Sequence, residues 1–318
     1  MDYDLFNGDA DGICALIQLR MAQPREAQLV TGVKRHINLL DDISPTAGDR
    51  VTVLDVSMEK NARGLRQALA SGASVFYVDH HFPGEIPDHP NLQAIVNESA
   101  TVCTAILVNG HLRNRYPRWA VAGGFGDNLR IVAAKLAEAN GISGADTEAL
   151  QHLGECINYN GYGAAVEDLH FAPDALYRSL YAAQDPLRFV HESPDYQRLS
   201  DGYAADMAQV QGLKCVDEID TAAVFVLPNA AWARRVSGVF GNDLAANYPN
   251  RAHAVLTEKA DGGMQVSVRA PMSKREGAVD LCRQFPSGGG RAAAAGINHL
   301  PSESVADFVA KFFAAYGA

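Results

Sequence analysis

The sequence of 318 residues predicts an α/β protein: an N-terminal domain with a mostly parallel sheet, joined by a helical linker to a smaller α/β C-terminal domain. Two observations predict this class. Before residue 100, short apolar runs rich in β-branched and aromatic residues alternate with helical patterns, as in βαβ units. After residue 215, three further β-type runs precede a glycine-rich turn and a final apolar helix. We therefore place the domains at 1–185 and 216–318, and the linker at 186–215.

The elements of the N-terminal domain follow in order along the chain. Its predicted strands are 3–6, 51–56, 74–79 and 92–96. Apolar residues at helical spacing follow the first strand, in DGICALIQLRMA, and the second, in EKNARGLRQALA. From 101 to about 185 the pattern is mostly helical, and 194–213 has the pattern of a charged connecting helix. The carboxyl ends of the parallel strands then form one edge, where open α/β sheets usually bind ligands.

The composition limits the classes of function. Hydrophobic residues make up 47% and charged residues 20% of the chain, as in a globular soluble protein. The acidic start lacks the order of a signal peptide, and no apolar run approaches the roughly 18 residues that span a bilayer, so we expect a cytoplasmic protein without a membrane partner. A net charge of −10 disfavours binding of long duplex nucleic acid through a general positive field. Five dispersed cysteines show no C-x-x-C pair and indicate neither a disulfide framework nor structural zinc.

Acidic and imidazole side chains follow the predicted strands. The candidates are Asp9 and Asp11 in FNGDADG, Asp55 in VLDVS, Asp79, His80 and His81 in YVDHH, and Asp127 in FGDN. A carboxylate that ends a buried strand is costly unless it meets water, a donor or a metal. Each stretch alone also fits a helix cap, with Asp11 as the capping residue of the first helix, or a turn. The same unusual residues at three strand ends favour a shared site.

These side chains supply oxygen and nitrogen donors without thiolate. Such a set suits Mn²⁺ or Mg²⁺ better than structural zinc, and the number of donors is sufficient for two ions. Two cations about 3.5–4 Å apart stabilise both oxygens of an in-line phosphoryl displacement. The sequence therefore predicts hydrolysis of a phosphate ester or anhydride.

The order D-x-D-G, D at a strand end, D-H-H and an isolated D resembles the DHH phosphoesterase superfamily, which includes RecJ-type exonucleases, nano-RNases and cyclic-dinucleotide phosphodiesterases. The resemblance implies that two Mn²⁺ ions bind, with Mg²⁺ or Co²⁺ as substitutes. It also implies that Asp9 binds the first metal, that Asp11, His80 and Asp127 bind the second, and that Asp55 bridges the two. His81 would face the scissile phosphate, and Asp79 would orient the histidines.

One departure from that family lies at Asn7. Relatives of the H-x-D-x-D-G form place a histidine there as a ligand of the first metal, whereas asparagine offers only a neutral amide oxygen. Asn7 remains a candidate metal ligand, completed by water or by another group.

The C-terminal domain carries a candidate anion site. Three glycines in a row, Gly288, Gly289 and Gly290, expose backbone N–H groups, and the Ala-rich segment after them is predicted to begin a helix whose N-terminus also favours phosphate. The alternative is a tight turn. The DHH-associated domain has a similar pattern, with an arginine in a strand and G-G-G-H, so the resemblance implies that Arg269, the glycines and Arg291 hold the non-reacting end of the substrate. Arg291 replaces the family's histidine and keeps a permanent charge.

Two further stretches stay open. INYNGYG presents Asn158, Asn160 and either Tyr159 or Tyr162 to a base or ribose, or it forms only a turn. In NESATVCTA the hydroxyls of Ser99, Thr101 and Thr104 either touch phosphate or belong to a helix cap.

The resemblance covers nearly the whole chain and indicates a compact two-domain phosphodiesterase, monomeric or homodimeric. We expect cleavage of dinucleotides or very short oligonucleotides, such as pGpG or pApA, to mononucleotides. The alternatives are a pAp or polyphosphate phosphatase, a single-strand 5′–3′ exonuclease, and a nucleotide-binding regulator with a weakened metal site.

Overall fold

The computed structural model describes residues 1–317, and the chain divides into two compact units, Met1–Gly202 and the part from Tyr203 onward. No helix among the described residues has the length and apolar character needed to cross a membrane.

The N-terminal unit is built on a five-stranded, wholly parallel sheet. Its strands are β1 (Asp2–Phe6), β2 (Gln28–Val30), β3 (Arg50–Leu54), β4 (Ser74–Asp79) and β5 (Leu92–Val96). The strand order is β2-β1-β3-β4-β5. The chain adds β2 on one side of β1 and then β3, β4 and β5 on the other side, so the strand order reverses between β1 and β3. Four of these strands and the parallel arrangement are predicted from the sequence. The short strand β2 is not, because three residues carry too little periodicity to detect.

The helices of this unit are α1 (Ala10–Ala22), α2 (Ala62–Ala70), α3 (Thr104–His111), α4 (Pro117–Gly126), α5 (Arg130–Ala139), α6 (Gly144–Asn160), α7 (Pro173–Ala183) and α8 (Pro186–Glu192). This confirms the predicted change from strands to helices after residue 100. The long helix α9 (Pro194–Val210) contains the division between the units and corresponds to the predicted connecting helix.

Small residues let α4 approach its neighbours closely. A Cβ atom on Gly126 would lie 2.3 Å from Ala10 Cβ, and one on Gly154 would lie 2.1 Å from the Ala122 carbonyl oxygen. Contacts this short are not found between real Cβ atoms and their neighbours, so α1, α4 and α6 pack at distances that only glycine allows. This packing brings Asp127, at the end of α4, towards the start of α1.

The C-terminal unit has a six-stranded mixed sheet of order β10-β11-β9-β8-β7-β6. Its elements are β6 (Asp217–Ile219), β7 (Ala222–Leu227), α10 (Ala231–Asn247), β8 (Ala252–Glu258), β9 (Met264–Arg269), α11 (Ala278–Cys282), β10 (Gly288–Gly290), β11 (Ala294–Leu300) and α12 (Val305–Tyr316). Phe308 and Phe312 of α12 are fully buried in a core with strand residues such as Val266. The smaller α/β domain and its final helix are confirmed.

One prediction in this unit is wrong. The Ala-rich segment after the glycines forms strand β11 rather than a helix. Gly288–Gly290 form strand β10, and the two strands pair as an antiparallel hairpin in which Gly289 lies opposite Gly296. The good helix propensity of alanine is outweighed here by ladder hydrogen bonds with β9 and β10 on both sides.

A buried ion pair fixes α1 against the sheet. The Arg20 guanidinium, on α1, donates to both oxygens of Asp4, at 2.5 and 2.7 Å, and to Thr52 Oγ1 at 2.9 Å. Asp4 and Arg20 are 1% and 3% exposed, so neither charge can be solvated if the other is removed.

We expect Asp4→Ala to lower the free energy of unfolding by about 3–5 kcal/mol, because it leaves a buried guanidinium without its counter-charge. The matched control is Asp41→Ala, which removes the partner of the 72% exposed Arg63 and should cost at most about 1 kcal/mol. Urea unfolding of both variants measures the difference. Equal losses would mean that the buried pair contributes no more than an exposed one.

Candidate active site

The candidate site lies at the carboxyl ends of β1, β3 and β4. This edge includes the point between β1 and β3 where the strand order reverses, which is where open α/β sheets usually bind ligands. A cavity of about 140 Å³ opens there. Its lining residues are Asn7, Asp9, Lys34, Ile37, Asp55, Ser57, His80, His81 and Asp127. The predicted residues Asp11 and Asp79 lie next to this group but do not line the cavity.

Asp9 caps helix α1 and binds a lysine. Its Oδ1 accepts hydrogen bonds from the backbone N–H groups of Asp11 and Gly12, at 3.0 and 3.2 Å, while its Oδ2 forms an ion pair with Lys34 Nζ. Burial opposes ionisation, but the charge of Lys34 holds the pKa of Asp9 below its usual value. The alternative in which Asp11 caps the first helix is wrong: Asp9 is the cap, and Asp11 lies in the first turn of α1.

Asp11 is held by the N-terminus of α3. Its two oxygens accept from the N–H groups of Thr104 and Ala105, both at 2.7 Å. Backbone N–H groups at a helix N-terminus favour negative charge, yet burial dominates and raises the pKa of Asp11. His80 Nε2 lies 3.7 Å from Asp11 Oδ2, so a cation bound to His80 Nε2 would also lie near this carboxylate.

Asp55 occupies the centre of the acidic group. It has a left-handed backbone conformation, with φ of 58°, and its N–H donates to the Val78 carbonyl oxygen. Its Oδ1 lies 3.3 Å from the Thr104 hydroxyl and 3.4 Å from His80 Nε2. Burial, followed by the charges of neighbouring aspartates, raises the pKa of Asp55 well above its usual value. A divalent cation would reverse this effect.

His80 has the arrangement of a metal-binding histidine. Its Nδ1 lies 3.0 Å from the Val102 carbonyl oxygen, an acceptor that places the ring proton on Nδ1. Nε2 then carries the lone pair, and it faces Asp55 and Asp11. Asp127 closes the other side, with its Oδ2 3.8 Å from His80 Nδ1.

His81 is oriented by a buried carboxylate. Its Nδ1 lies 2.7 Å from Asp79 Oδ1, and the His81 side chain is 38% exposed whereas that of Asp79 is fully buried. Asp79 therefore contacts directly the histidine that it is predicted to orient. The ligand atoms of Asp55, His80 and His81 all lie within 4.8 Å of one another, close enough to share one ion.

Asn7 has a buried oxygen that no side chain or backbone group satisfies. Its Nδ2 donates to the Lys34 carbonyl oxygen at 3.3 Å, whereas its Oδ1 has no hydrogen-bond partner among residues 1–317. Buried polar atoms are normally satisfied, and this one lines the cavity. An unsatisfied oxygen beside carboxylates and an imidazole fits a site for a hard divalent cation, as does the absence of thiolate from the cavity lining formed by the described residues.

Lys34 also lines the cavity, although it is not among the residues predicted from the sequence. Its Nζ donates to Asn158 Oδ1 at 2.8 Å as well as to Asp9, and it lies 5.4 Å from the centre of the Tyr162 ring. Burial opposes its charge, but Asp9 raises the pKa of Lys34 far above its ordinary value. Of the two open stretches, Asn158 and Tyr162 thus belong to the site, and Thr104 both begins helix α3 and contacts Asp55. No pattern at residue 34 indicated this role.

The C-terminal candidates lie together on the sheet of their own unit. The backbones of Arg291 and Ala294 close the β10–β11 hairpin, and Ala294 lies opposite Arg269 on β9. Arg269 Nε donates to Asn242 Oδ1 of α10 at 2.8 Å. Gly288 is closely packed, because its N–H donates to the Phe285 carbonyl oxygen and a Cβ there would lie 1.8 Å from the Cys282 carbonyl oxygen. A Cβ on Gly289 would meet nothing within 4 Å, so the middle glycine is open.

Comparison with solved structures identifies the fold. The manganese-bound exonuclease RecJ matches 98% of this chain and 89% of its own, with a TM-score of 0.64 and 19% identity. RecJ of Thermus thermophilus in complex with Mn²⁺ gives a TM-score of 0.60 at 17% identity, over 98% of this chain and about half of its own length, 51%. The pGpG-specific phosphodiesterase PggH of Vibrio cholerae gives 0.58 at 16% identity, over 98% of this chain and 97% of its own.

The chain therefore shares its fold with RecJ and PggH, and this is the two-domain α/β fold that the sequence predicts. No model of a protein family matches the sequence. No curated protein matches it significantly either. At identities below 20% the similarity to RecJ and PggH establishes the fold, and the chemistry has to be argued from the site itself.

We expect Gly12→Ala to disrupt the site, because the new Cβ would lie 2.3 Å from the Asn7 carbonyl oxygen and would displace the turn that carries Asn7 and Asp9. The variant should lose about 1–3 kcal/mol of stability, as overpacking commonly does, and should bind a divalent cation more weakly than the unaltered protein. Gly110→Ala is the control, since its Cβ meets nothing within 4 Å and a helical alanine is favourable. Thermal unfolding and Mn²⁺ titration compare them, and a Gly12→Ala protein equal to the control would contradict the close packing.

Proposed function

We propose that this protein is a metal-dependent phosphodiesterase that hydrolyses dinucleotides or very short oligonucleotides to mononucleotides. One observation carries the proposal: ligand atoms of Asp55, His80 and His81 converge within 4.8 Å at an acidic cavity on the carboxyl edge of a parallel sheet. Buried acids in such numbers are stable only beside cations or strong donors. Mn²⁺ is the proposed ion, supported by the manganese in both RecJ structures, with Mg²⁺ and Co²⁺ as substitutes.

The ligand roles follow from the contacts. Asp55 and Nε2 of His80 would hold the cation, with Asp11 close by at the N-terminus of α3. Asp127 lines the same cavity but contacts the Nδ1 side of His80, and its role as a further ligand is proposed from the family resemblance. A divalent cation bound there supplies Lewis acidity for attack on phosphorus. His81 donates to the charge that develops on the phosphate, and Asp79, which accepts from its Nδ1, fixes the orientation of the ring.

Short substrates are favoured by two observations. The chain and PggH, a pGpG-specific phosphodiesterase, match over nearly the full length of both. The net charge of −10 also disfavours tracking along a long single strand, which relies on a positively charged groove. Arg269 and Arg291, brought to one end of the C-terminal sheet, are proposed to bind an anionic group of the substrate.

The test is incubation of the purified protein with Mn²⁺ and a panel of di- to hexanucleotides, pAp and polyphosphate, followed by chromatography of the products. We expect dinucleotides to be cut fastest and Asp55→Ala and His80→Ala to lose at least about 10²-fold in kcat. Full activity in either variant would refute the ligand assignment. If phosphate is released from pAp or polyphosphate faster than dinucleotides are cut, the protein is a phosphatase of that substrate class instead. If nucleotides bind without any turnover, the protein is a nucleotide-binding regulator.

A second prediction concerns Arg291. If its guanidinium binds an anionic group away from the reacting phosphate, Arg291→Ala should raise KM by about tenfold and change kcat much less, because the lost contact is equal in ground and transition states. Arg283→Ala removes an exposed arginine of the same unit and is the matched control. Steady-state kinetics on a dinucleotide measures both variants, and an unchanged KM for Arg291→Ala would count against this role.

A further inference from the structure

Lys34 binds the carboxylate that the family resemblance assigns to a first metal ion. Its ammonium group donates to Asp9 Oδ2 and Asn158 Oδ1, and the Tyr162 ring lies beside it. The lysine backbone is fixed as well, since its N–H donates to the Gly161 carbonyl oxygen at 2.8 Å and its own carbonyl accepts from Asn7. Only 23% of the Lys34 side chain is exposed. This is a built contact, not a mobile surface lysine near an acid.

Both oxygens of Asp9 are already engaged in this arrangement. Oδ1 caps helix α1 through two N–H groups, and Oδ2 holds Lys34. A metal at Oδ2 would either lie directly beside the ammonium group or displace it and leave Lys34 as a largely buried cation without Asp9. Both consequences disfavour a dication at Asp9.

Asn7 weakens the same position further. Its amide is neutral, and because its Nδ2 donates to the Lys34 carbonyl oxygen, the unsatisfied Oδ1 is the single uncharged ligand atom that it offers. A charged or imidazole ligand is thus missing where a first ion would need one. The Asp55–His80 side differs, because there an imidazole nitrogen and two carboxylates face one another within 3.7 Å and offer a dication the charged and nitrogen ligands that it requires.

We propose, building on the proposed phosphodiesterase function, that the ammonium group of Lys34 replaces the first metal ion, so that the active centre binds one divalent cation per chain. The cation occupies the Asp55–His80 side, and Lys34 supplies a fixed single positive charge on the Asp9 side. The two-ion prediction from the sequence is replaced in this proposal by one ion and one lysine.

Lys34 lines the same cavity as the proposed metal ligands and His81. A fixed positive charge at that wall attracts the anionic substrate and stabilises negative charge on a phosphoryl oxygen, without coordinating water. Its role is electrostatic, so a neutral side chain of equal length is not an equivalent replacement, and the larger, planar guanidinium of an arginine is not one either.

The first experiment uses the full-length protein, stripped of metal with a chelator and titrated with Mn²⁺ alone. Isothermal titration calorimetry and metal analysis after desalting should give one ion per chain, and electron paramagnetic resonance should show the resolved hyperfine pattern of an isolated Mn²⁺. Two ions per chain with an exchange-coupled spectrum would overturn the lysine proposal and leave the phosphodiesterase proposal standing. Absence of any bound ion would overturn both.

The second experiment removes the ammonium group. Lys34→Met keeps the length of the side chain without the charge, and combined with Asn7→His it restores the ligand type of the family. We expect the double variant to bind two ions per chain, while the control Lys135→Met, an exposed lysine on α5, still binds one. A double variant with a native circular dichroism spectrum that still binds one ion would overturn the proposal, and the wild-type stoichiometry decides the matter if the variant does not fold.

Discussion

The structure of the N-terminal unit depends on gathering five buried or nearly buried carboxylates at one edge of a sheet. They are Asp9, Asp11, Asp55, Asp79 and Asp127. Like charges this close in a region of low dielectric repel strongly, so each needs its own source of positive potential. The fold supplies a different source to different members. Asp9 receives an ammonium group and a helix N-terminus, Asp11 receives the first N–H groups of α3, and Asp79 receives an imidazole.

Asp55 receives no ammonium group and no helix N-terminus from residues 1–317 of the protein. A hydroxyl at 3.3 Å and an imidazole at 3.4 Å are its partners, and its pKa is raised well above the usual value. Its left-handed backbone, with φ of 58°, also holds the carboxylate in a conformation that a residue other than glycine rarely adopts. Backbone strain and a carboxylate charge without a strong counter-charge are both expected at a functional site. Among the described residues, Asp55 also belongs to the one group of acids and histidines whose ligand atoms lie close enough to share an ion.

The carboxylates were predictable from the sequence because each follows a recognisable strand or lies in a short motif. Parallel strands end at one edge, so Asp55 and the D-H-H residues had to come together once the strands were recognised. Lys34 was not predictable in this way. It follows β2, a strand of only three residues, and its partners Asp9 and Asn158 lie 25 and 124 positions away. The same limit applies to Ala294–Leu300, where pairing with two neighbouring strands overrides a local preference for helix.

An ammonium group and a divalent cation neutralise a carboxylate in different ways. Lysine carries one charge on a covalent tether, so it remains present at any metal concentration, but it has no open coordination position with which to activate water. A centre built from one cation and one lysine therefore places all of its Lewis acidity beside Asp55 and His80. The proton donor His81 must then act close to that cation. The ligand atoms of His81, His80 and Asp55 do lie within 4.8 Å of one another. Asparagine at position 7 fits the same division, since the side of the cavity that binds no metal has no need of a histidine.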